Sequence, residues 1–181
     1  IKSSAASDVY KRQMLSGETA AGAYPVEAVR TMARIAERTE GDIDYRKRFS
    51  QAKVSTLCNV TDAISHATCA AAHDLNAAAV ITVSKSGMTG RMISKFRPLV
   101  PIIGCSPDEK VLRQMNLSWG VTPIYVEEKK STDELFEAAV SAARQAGVIK
   151  DGDLTVITAG VPLGKSGTTN MMRIHVVGEP M

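Results

Sequence analysis

The sequence predicts a three-layer α/β/α sandwich around a mostly parallel five-stranded sheet whose last strand is antiparallel. Short apolar runs rich in β-branched residues alternate with amphipathic helical patterns, an order typical of a parallel sheet with helices on both faces. No helical pattern separates the fourth and fifth runs. Because a parallel connection needs a crossover of about a dozen residues or more, the fifth strand is expected to run antiparallel to the fourth.

The five strands are apolar and bounded by Gly, Pro or polar residues, which indicates burial inside a sheet. They are predicted at residues 78–83, 100–105, 121–126, 154–158 and about 171–177. Pro123 cannot donate a backbone hydrogen bond to a neighbouring strand, so the third strand is expected at an edge of the sheet.

Two helical patterns precede the first strand. Pro25 suits the first turn of a helix that Gly41 ends. Asn59 or Thr61 is expected to cap the second helix. Residues 42–49, between the two helices, are charged and are predicted to connect two units.

The helix after strand one also carries boundary signals. Ser86 or Thr89 is expected to cap its start. Its end is predicted at Arg97, because the residue before a proline, here Pro98, avoids helical angles.

Two more helices follow strands two and three. Ser106 is expected to cap the first of them, with Pro107 in its opening turn, and this helix is predicted to run to about Trp119. Residues 131–134 have the spacing of a capping box and open the last helix.

Composition limits the classes of partner. The 181 residues carry a net charge of +3, only 4% of them are aromatic, and no long Lys/Arg run occurs, so a nucleic-acid partner is not expected. No apolar stretch reaches the roughly 20 residues that cross a bilayer, so no membrane partner is expected. Three cysteines without a C-x-x-C pair indicate buried free thiols in a reducing cytoplasm.

Two loops share the spelling K-S-G-x-T, at residues 85–89 and 165–169, and each comes after a predicted strand. If these strands are parallel in one sheet, both loops emerge at the same carboxyl edge, where open α/β sheets bind ligands. A Lys cation, small hydroxyls and glycine-exposed amides suit a phosphate-bearing ligand. The alternative is two ordinary strand-end turns; the matched pair favours phosphate.

The second loop also resembles a nucleotide-binding P-loop. Residues 160–166 read G-V-P-L-G-K-S, with three residues between the glycines where the Walker A motif has four. The motif also requires a helix after the Lys, whereas a strand is predicted here. A complete P-loop kinase is therefore not the favoured interpretation.

Two other features have weaker functional interpretations. His66, Cys69 and His73 share one face of a predicted helix, which is compatible with a metal site. The surrounding alanines and the absence of an obvious fourth ligand favour packing plus one histidine hydrogen bond. Trp119 is interpreted as a core residue, with stacking on a sugar as the alternative.

Residues 14–29, MLSGETAAGAYPVEAV, closely resemble pyruvate kinases, in which this signature lies at the last strand and helix of the catalytic (β/α)8 barrel. The resemblance continues to about residue 179, through SKSGMTGRMISKFR at residues 84–97 and through residues 160–170. These segments are similar to the C-terminal regulatory domain of the family, in its bacterial form.

The resemblance implies an enzyme that transfers phosphate from phosphoenolpyruvate to ADP with Mg²⁺ and usually K⁺, in the cytoplasm, as a homotetramer. It implies that the C-terminal domain binds a phosphorylated effector: fructose 1,6-bisphosphate, another sugar phosphate or AMP. The matching positions are a phosphate-binding loop and a closing loop, formed by Ser84, Lys85, Ser86, Gly87 and Thr89 and by Gly164, Lys165, Ser166, Gly167 and Thr168.

The chain departs from the family pattern in two places. Residues 1–13 do not resemble the preceding barrel strand and are predicted to be a foreign or disordered leader; residues 14–45 are a remnant of the barrel end with its connector, and residues 46–181 are the regulatory domain. No catalytic or metal-binding residue is expected here, so the chain is predicted to be inactive alone.

Leu135 stands where members activated by fructose bisphosphate carry a basic residue, which favours a monophosphate. The alternative is a free-standing binding module for a sugar phosphate or nucleoside monophosphate.

Overall fold

The computed structural model describes residues 14–51, 59–163 and 167–181. The chain divides into two compact units, Ile1–Asp44 and Tyr45–Met181. No helix among the described residues is long and apolar enough to span a bilayer.

The first unit contains two helices, α1 (Gly17–Ala20) and α2 (Pro25–Gly41). Helix α2 begins and ends where the sequence predicts, with Pro25 in its first turn. It buries no residue within the described chain, and apolar side chains such as Val26 and Val29 are more than half exposed. This helix therefore presents an apolar stripe that its own unit does not cover.

The second unit is the predicted three-layer sandwich, with four parallel strands and one antiparallel strand. Its elements are α3 (Tyr45–Gln51), α4 (Val60–Asp74), β1 (Ala79–Val83), α5 (Met88–Phe96), β2 (Ile102–Ser106), α6 (Glu109–Met115), β3 (Val121–Tyr125), α7 (Thr132–Gln145), β4 (Leu154–Ala159) and β5 (Met171–Val176).

The strand order in the sheet is β3-β2-β1-β4-β5. Strand β5 pairs antiparallel to β4, and β3 with its Pro123 is an edge strand, so both predictions are confirmed. In the register, Val83 at the end of β1 faces Cys105 of β2 and Ala159 of β4. The carboxyl ends of these parallel strands therefore meet at one edge, which we call the carboxyl edge.

Each face of the sheet has its own apolar core. Helix α7 buries Phe136 and its apolar neighbours against Ile81, Ile103 and Ile157 on one face. Helices α4, α5 and α6 pack on the other face, where Val80 is fully buried. Alternate residues of β1 thus point into opposite cores, and this explains why the strand reads as a continuous apolar run.

The start of α6 differs from the prediction. Strand β2 continues through Ser106, and the N-cap is Asp108, whose Oδ1 accepts hydrogen bonds from the backbone N–H groups of Lys110 (2.7 Å) and Val111 (3.3 Å). The helix ends at Met115 rather than near Trp119. The carboxylate of Asp108 satisfies two of the helix's free amides. The Ser106 hydroxyl accepts the N–H of the N-cap residue Asp108 at 3.3 Å instead of capping the helix itself.

Two of the predicted buried thiols lie in the described chain. Cys69 and Cys105 are free and fully buried, and burial raises the pKa of each thiol to about 12. Cys58 lies outside the described residues.

Candidate functional site

A cavity of about 320 Å³ opens at the carboxyl edge of the sheet. The loops after β1, β2, β3 and β4 and the first turn of α7 form its wall. The lining residues are Val83, Ser84, Lys85, Thr89, Pro107, Val126, Glu128, Lys129, Lys130, Leu135, Gly160, Leu163, Gly167 and Thr168. Both K-S-G-x-T loops therefore contribute residues to one cavity, as their position after parallel strands predicts.

The charged part of the wall is mainly basic. Lys85, Lys129 and Lys130 line the cavity, whereas Glu128 is the one carboxylate among the described lining residues. The Nζ of Lys85 lies 2.7 Å from Oε1 of Glu128. Another part of the wall is aliphatic and includes Leu135 from α7. The site thus combines a cationic region with an apolar region.

The loop after β1 is fixed by backbone contacts with β2. The N–H of Ser84 donates to the carbonyl of Cys105 at 3.0 Å, and the hydroxyl of Ser106 donates to the carbonyl of Lys85 at 3.4 Å. The Ser106 contact was not predicted, because the sequence pattern assigns this side chain to a helix cap. The two bonds anchor the backbone on either side of the Lys85 α-carbon.

Helix α5 begins without the predicted side-chain cap. Gly87 occupies the N-cap position with φ +68°, and no side chain accepts a hydrogen bond from the first turn. A Cβ at Gly87 would lie 2.9 Å from Cγ1 of Val111, so both the backbone angle and the close packing require glycine. The expectation that Ser86 or Thr89 caps this helix is therefore wrong.

Thr89 joins the two loops instead. Its hydroxyl is buried and lies 2.8 Å from the hydroxyl of Thr169, at the end of the second loop. The N–H of Thr169 in turn lies 3.3 Å from Oγ1 of Thr61, near the start of α4. The contact between Thr89 and Thr169, which are 80 positions apart, attaches the second loop to the start of α5.

The second loop is closed at its base. The side-chain amide of Asn170 makes two hydrogen bonds with the backbone of Val161: Oδ1 accepts from the N–H at 2.8 Å and Nδ2 donates to the carbonyl at 2.6 Å. A Cβ at Gly160 would lie 1.7 Å from the carbonyl oxygen of Thr168. The two ends of the loop therefore come so close together at Gly160 that only glycine fits there, and we call this constriction the neck. Neither Gly160 nor Asn170 was predicted as a site residue.

The predicted site residues fall into three groups. Five line the cavity, namely Ser84, Lys85, Thr89, Gly167 and Thr168. Ser86 and Gly87 shape the first loop without belonging to the wall. Gly164, Lys165 and Ser166 lie outside the described residues, so the convergence of Lys165 with Lys85 stays a prediction.

The P-loop interpretation is contradicted by the secondary structure. After the second loop the chain enters strand β5 (Met171–Val176), whereas a Walker A loop leads into a helix. Trp119 lies just before the start of β3, at the sheet edge away from the cavity, where its ring contacts Tyr45 and Arg97. Trp119 therefore does not line this cavity, and its alternative role in stacking on a sugar stays a prediction.

The two histidines of the helical cluster are used in packing. The ring of His66 stacks on Phe49 with centroids 4.9 Å apart, and Nε2 of His73 accepts the N–H of Leu99 at 3.0 Å. Burial and the nearby Arg46 lower the pKa of His73. No group of three metal-ligating side chains occurs in the part of the chain that the structure describes.

The fold and the cavity define an α/β domain with an open cavity at the carboxyl edge of its parallel strands, the edge at which open α/β sheets bind ligands. The family "Pyruvate kinase, alpha/beta domain" matches residues 62–175. The pyruvate kinase of Clostridium acetobutylicum is 49% identical over 164 residues, which cover 91% of this chain and 35% of that protein. The chain belongs to the pyruvate kinase family, a family of phosphotransferases, and comprises its C-terminal α/β domain.

Other relatives support the same family assignment. The pyruvate kinase of Geobacillus stearothermophilus is 46% identical over 166 residues, which cover 92% of this chain and 28% of that protein. The crystal structure of a pyruvate kinase from Cryptosporidium parvum superposes with a TM-score of 0.79 and 32% identity, and the match covers 90% of this chain and 32% of that one. The chain thus spans about a third of the length of the pyruvate kinases that it matches.

Proposed function

We propose that this chain is the regulatory part of a pyruvate kinase and that the cavity at the carboxyl edge binds a phosphorylated effector. The observation that carries the proposal is the meeting of two hydroxyl- and glycine-rich loops around Lys85 in one cavity. Phosphate oxygens are strong acceptors, and charge-assisted hydrogen bonds from an ammonium group and hydroxyls are the contacts that they favour.

The phosphate is assigned to the first loop. Lys85 supplies the cation, Ser84 a hydroxyl, and the uncapped first turn of α5 supplies backbone N–H groups with the positive end of the helix dipole. The lack of a side-chain cap leaves those amides free for a ligand oxygen. Lys129 and Lys130 also line the cavity and add positive potential to it.

The rest of the ligand is assigned to the aliphatic wall. Leu135 and Val126 offer apolar surface to that part of the ligand, and Leu135 stands where family members activated by fructose bisphosphate carry a basic residue. This chemistry favours a monophosphate, such as a sugar monophosphate or AMP, over fructose 1,6-bisphosphate. Gly167 and Thr168, which line the cavity, are proposed to contact the bound ligand.

The transfer of phosphate from phosphoenolpyruvate to ADP is assigned to the longer protein of which this chain resembles about a third. Residues for that reaction, and for the Mg²⁺ and K⁺ ions that it uses, are placed in the barrel, so this chain alone is proposed to be inactive. The parent enzyme is proposed to be a cytoplasmic homotetramer in which effector binding favours one arrangement of subunits.

Lys85→Ala tests the proposed site. Loss of the charged hydrogen bond should weaken phosphoester binding by about 1.5–3 kcal/mol, which is roughly 10- to 150-fold in Kd. The measurement is a thermal-shift and calorimetric titration of the chain with glucose 6-phosphate, ribose 5-phosphate, fructose 1,6-bisphosphate and AMP. Lys150→Ala removes an exposed cation that does not line the cavity and is the matched control. Equal affinities for wild type and Lys85→Ala would reject this site.

A further inference from the structure

Glu128 places a carboxylate beside the cation that the proposed function assigns to the ligand phosphate. Its Oε1 lies 2.7 Å from Nζ of Lys85, and both side chains line the same cavity. Lys85 follows β1 and Glu128 follows β3, and β2 lies between these strands in the sheet. The ion pair therefore bridges two loops across the carboxyl end of β2.

The ion pair between Lys85 and Glu128 is weak enough for a ligand anion to replace the carboxylate. The side chains of Lys85 and Glu128 are 42% and 58% exposed, and solvent-exposed ion pairs are weak because water and salt screen them. A phosphomonoester dianion offers more charge and more acceptor oxygens than a carboxylate. A ligand phosphate can therefore displace Glu128 from Lys85, whereas an uncharged ligand gains nothing from doing so.

We propose that Glu128 is an internal anion that competes with the ligand phosphate for Lys85. The inference rests on the proposed function, because it concerns the regulation of that same site. A phosphate at Lys85 either displaces the carboxylate or is repelled by it, so the carboxylate lowers the affinity of the site and sets the ligand concentration at which it responds. Binding also releases the β3–α7 loop from its tether to Lys85.

Removal of the carboxylate should therefore improve binding, which is the reverse of the usual effect of a substitution in a site. In calorimetric titrations of the full chain with AMP and with glucose 6-phosphate, Glu128→Gln is expected to lower Kd about three- to fivefold. Glu137→Gln is the matched control, because this exposed carboxylate of α7 does not line the cavity. It makes the same change in net charge and should leave Kd within about twofold.

A double-variant cycle shows whether Glu128 acts through Lys85. In a Lys85→Ala background, Glu128→Gln should no longer improve binding, and a gain that persists there would overturn the inference. If wild type binds and Glu128→Gln binds equally or more weakly, the inference is wrong while the proposed function stands. If neither protein binds any phosphoester, the proposed function fails and the inference falls with it.

Discussion

The side chain of Thr89 shows how a residue-scale contact connects the two loops of the site. Sequence reasoning assigned its hydroxyl to a helix cap, but the hydroxyl faces Thr169 in the interior. Gly87 adopts the left-handed conformation that starts α5 without a side-chain acceptor. Thr89 is therefore free to hold the end of the second loop against the start of α5.

The buried pair of hydroxyls has a testable energetic signature. Thr89→Val removes one hydroxyl at nearly constant volume and leaves the Thr169 hydroxyl buried without its partner, which should cost about 1–3 kcal/mol of unfolding free energy. The double variant Thr89→Val/Thr169→Val removes both polar groups and should recover part of that loss. Urea unfolding monitored by circular dichroism gives the three free energies. The pairing would be contradicted if the double variant lost more unfolding free energy than the two single variants lose together.

At the residue scale, the sequence identified Lys85 and its hydroxyl neighbours, because a cation after a buried strand has a recognisable local pattern. It did not identify Ser106, Glu128 or Asn170 as parts of the site. Each of these acts on a partner that the sheet register brings near, and local spacing carries no information about such contacts. Ser106 was assigned to the wrong role, since Asp108 two residues later competes for the same helix cap.

At the scale of elements, the strands were predictable because a strand buried on both faces must be apolar along its whole length. The antiparallel direction of β5 followed from the short connection, and the edge position of β3 followed from Pro123. The neck of the second loop was not predictable. Gly160 and Thr168 touch only because β4 and β5 are paired, so Ala159 faces Met171.

Gly160→Ala tests whether the neck shapes the site. A Cβ at this position would lie 1.7 Å from a backbone oxygen, so the loop must open at its base. We expect at least about a tenfold loss of phosphoester affinity and a loss of roughly 1–3 kcal/mol in stability, as for other overpacked positions. Gly41→Ala is the control, because a Cβ there meets no atom within 4 Å. Wild-type affinity in Gly160→Ala would mean that the second loop does not contribute to binding.

At the scale of the whole molecule, the second unit contains two buried histidines on different elements. His73 lies on α4, where burial and then Arg46 lower its pKa, partly offset by Asp74. His175 lies on β5, where burial and then Arg173 lower its pKa. The lowered pKa values favour the neutral form of both rings, and for His73 that form accepts the hydrogen bond from Leu99.

Acid should destabilise the second unit for this reason. Because both pKa values are lower in the folded state, the unfolded chain binds more protons, and the unfolding free energy falls as the pH drops below about 6.5, the ordinary histidine value. Each histidine lowers the unfolding free energy by at most about 1.4 kcal/mol for each pH unit of acidification, until the pH falls below its folded-state pKa. Urea unfolding between pH 8 and 5, monitored by the fluorescence of the single tryptophan, Trp119, reports on this unit. His73→Gln and His175→Gln should each flatten the profile. A wild-type unfolding free energy that stays constant or rises toward pH 5 would show that the folded state does not hold these two rings neutral.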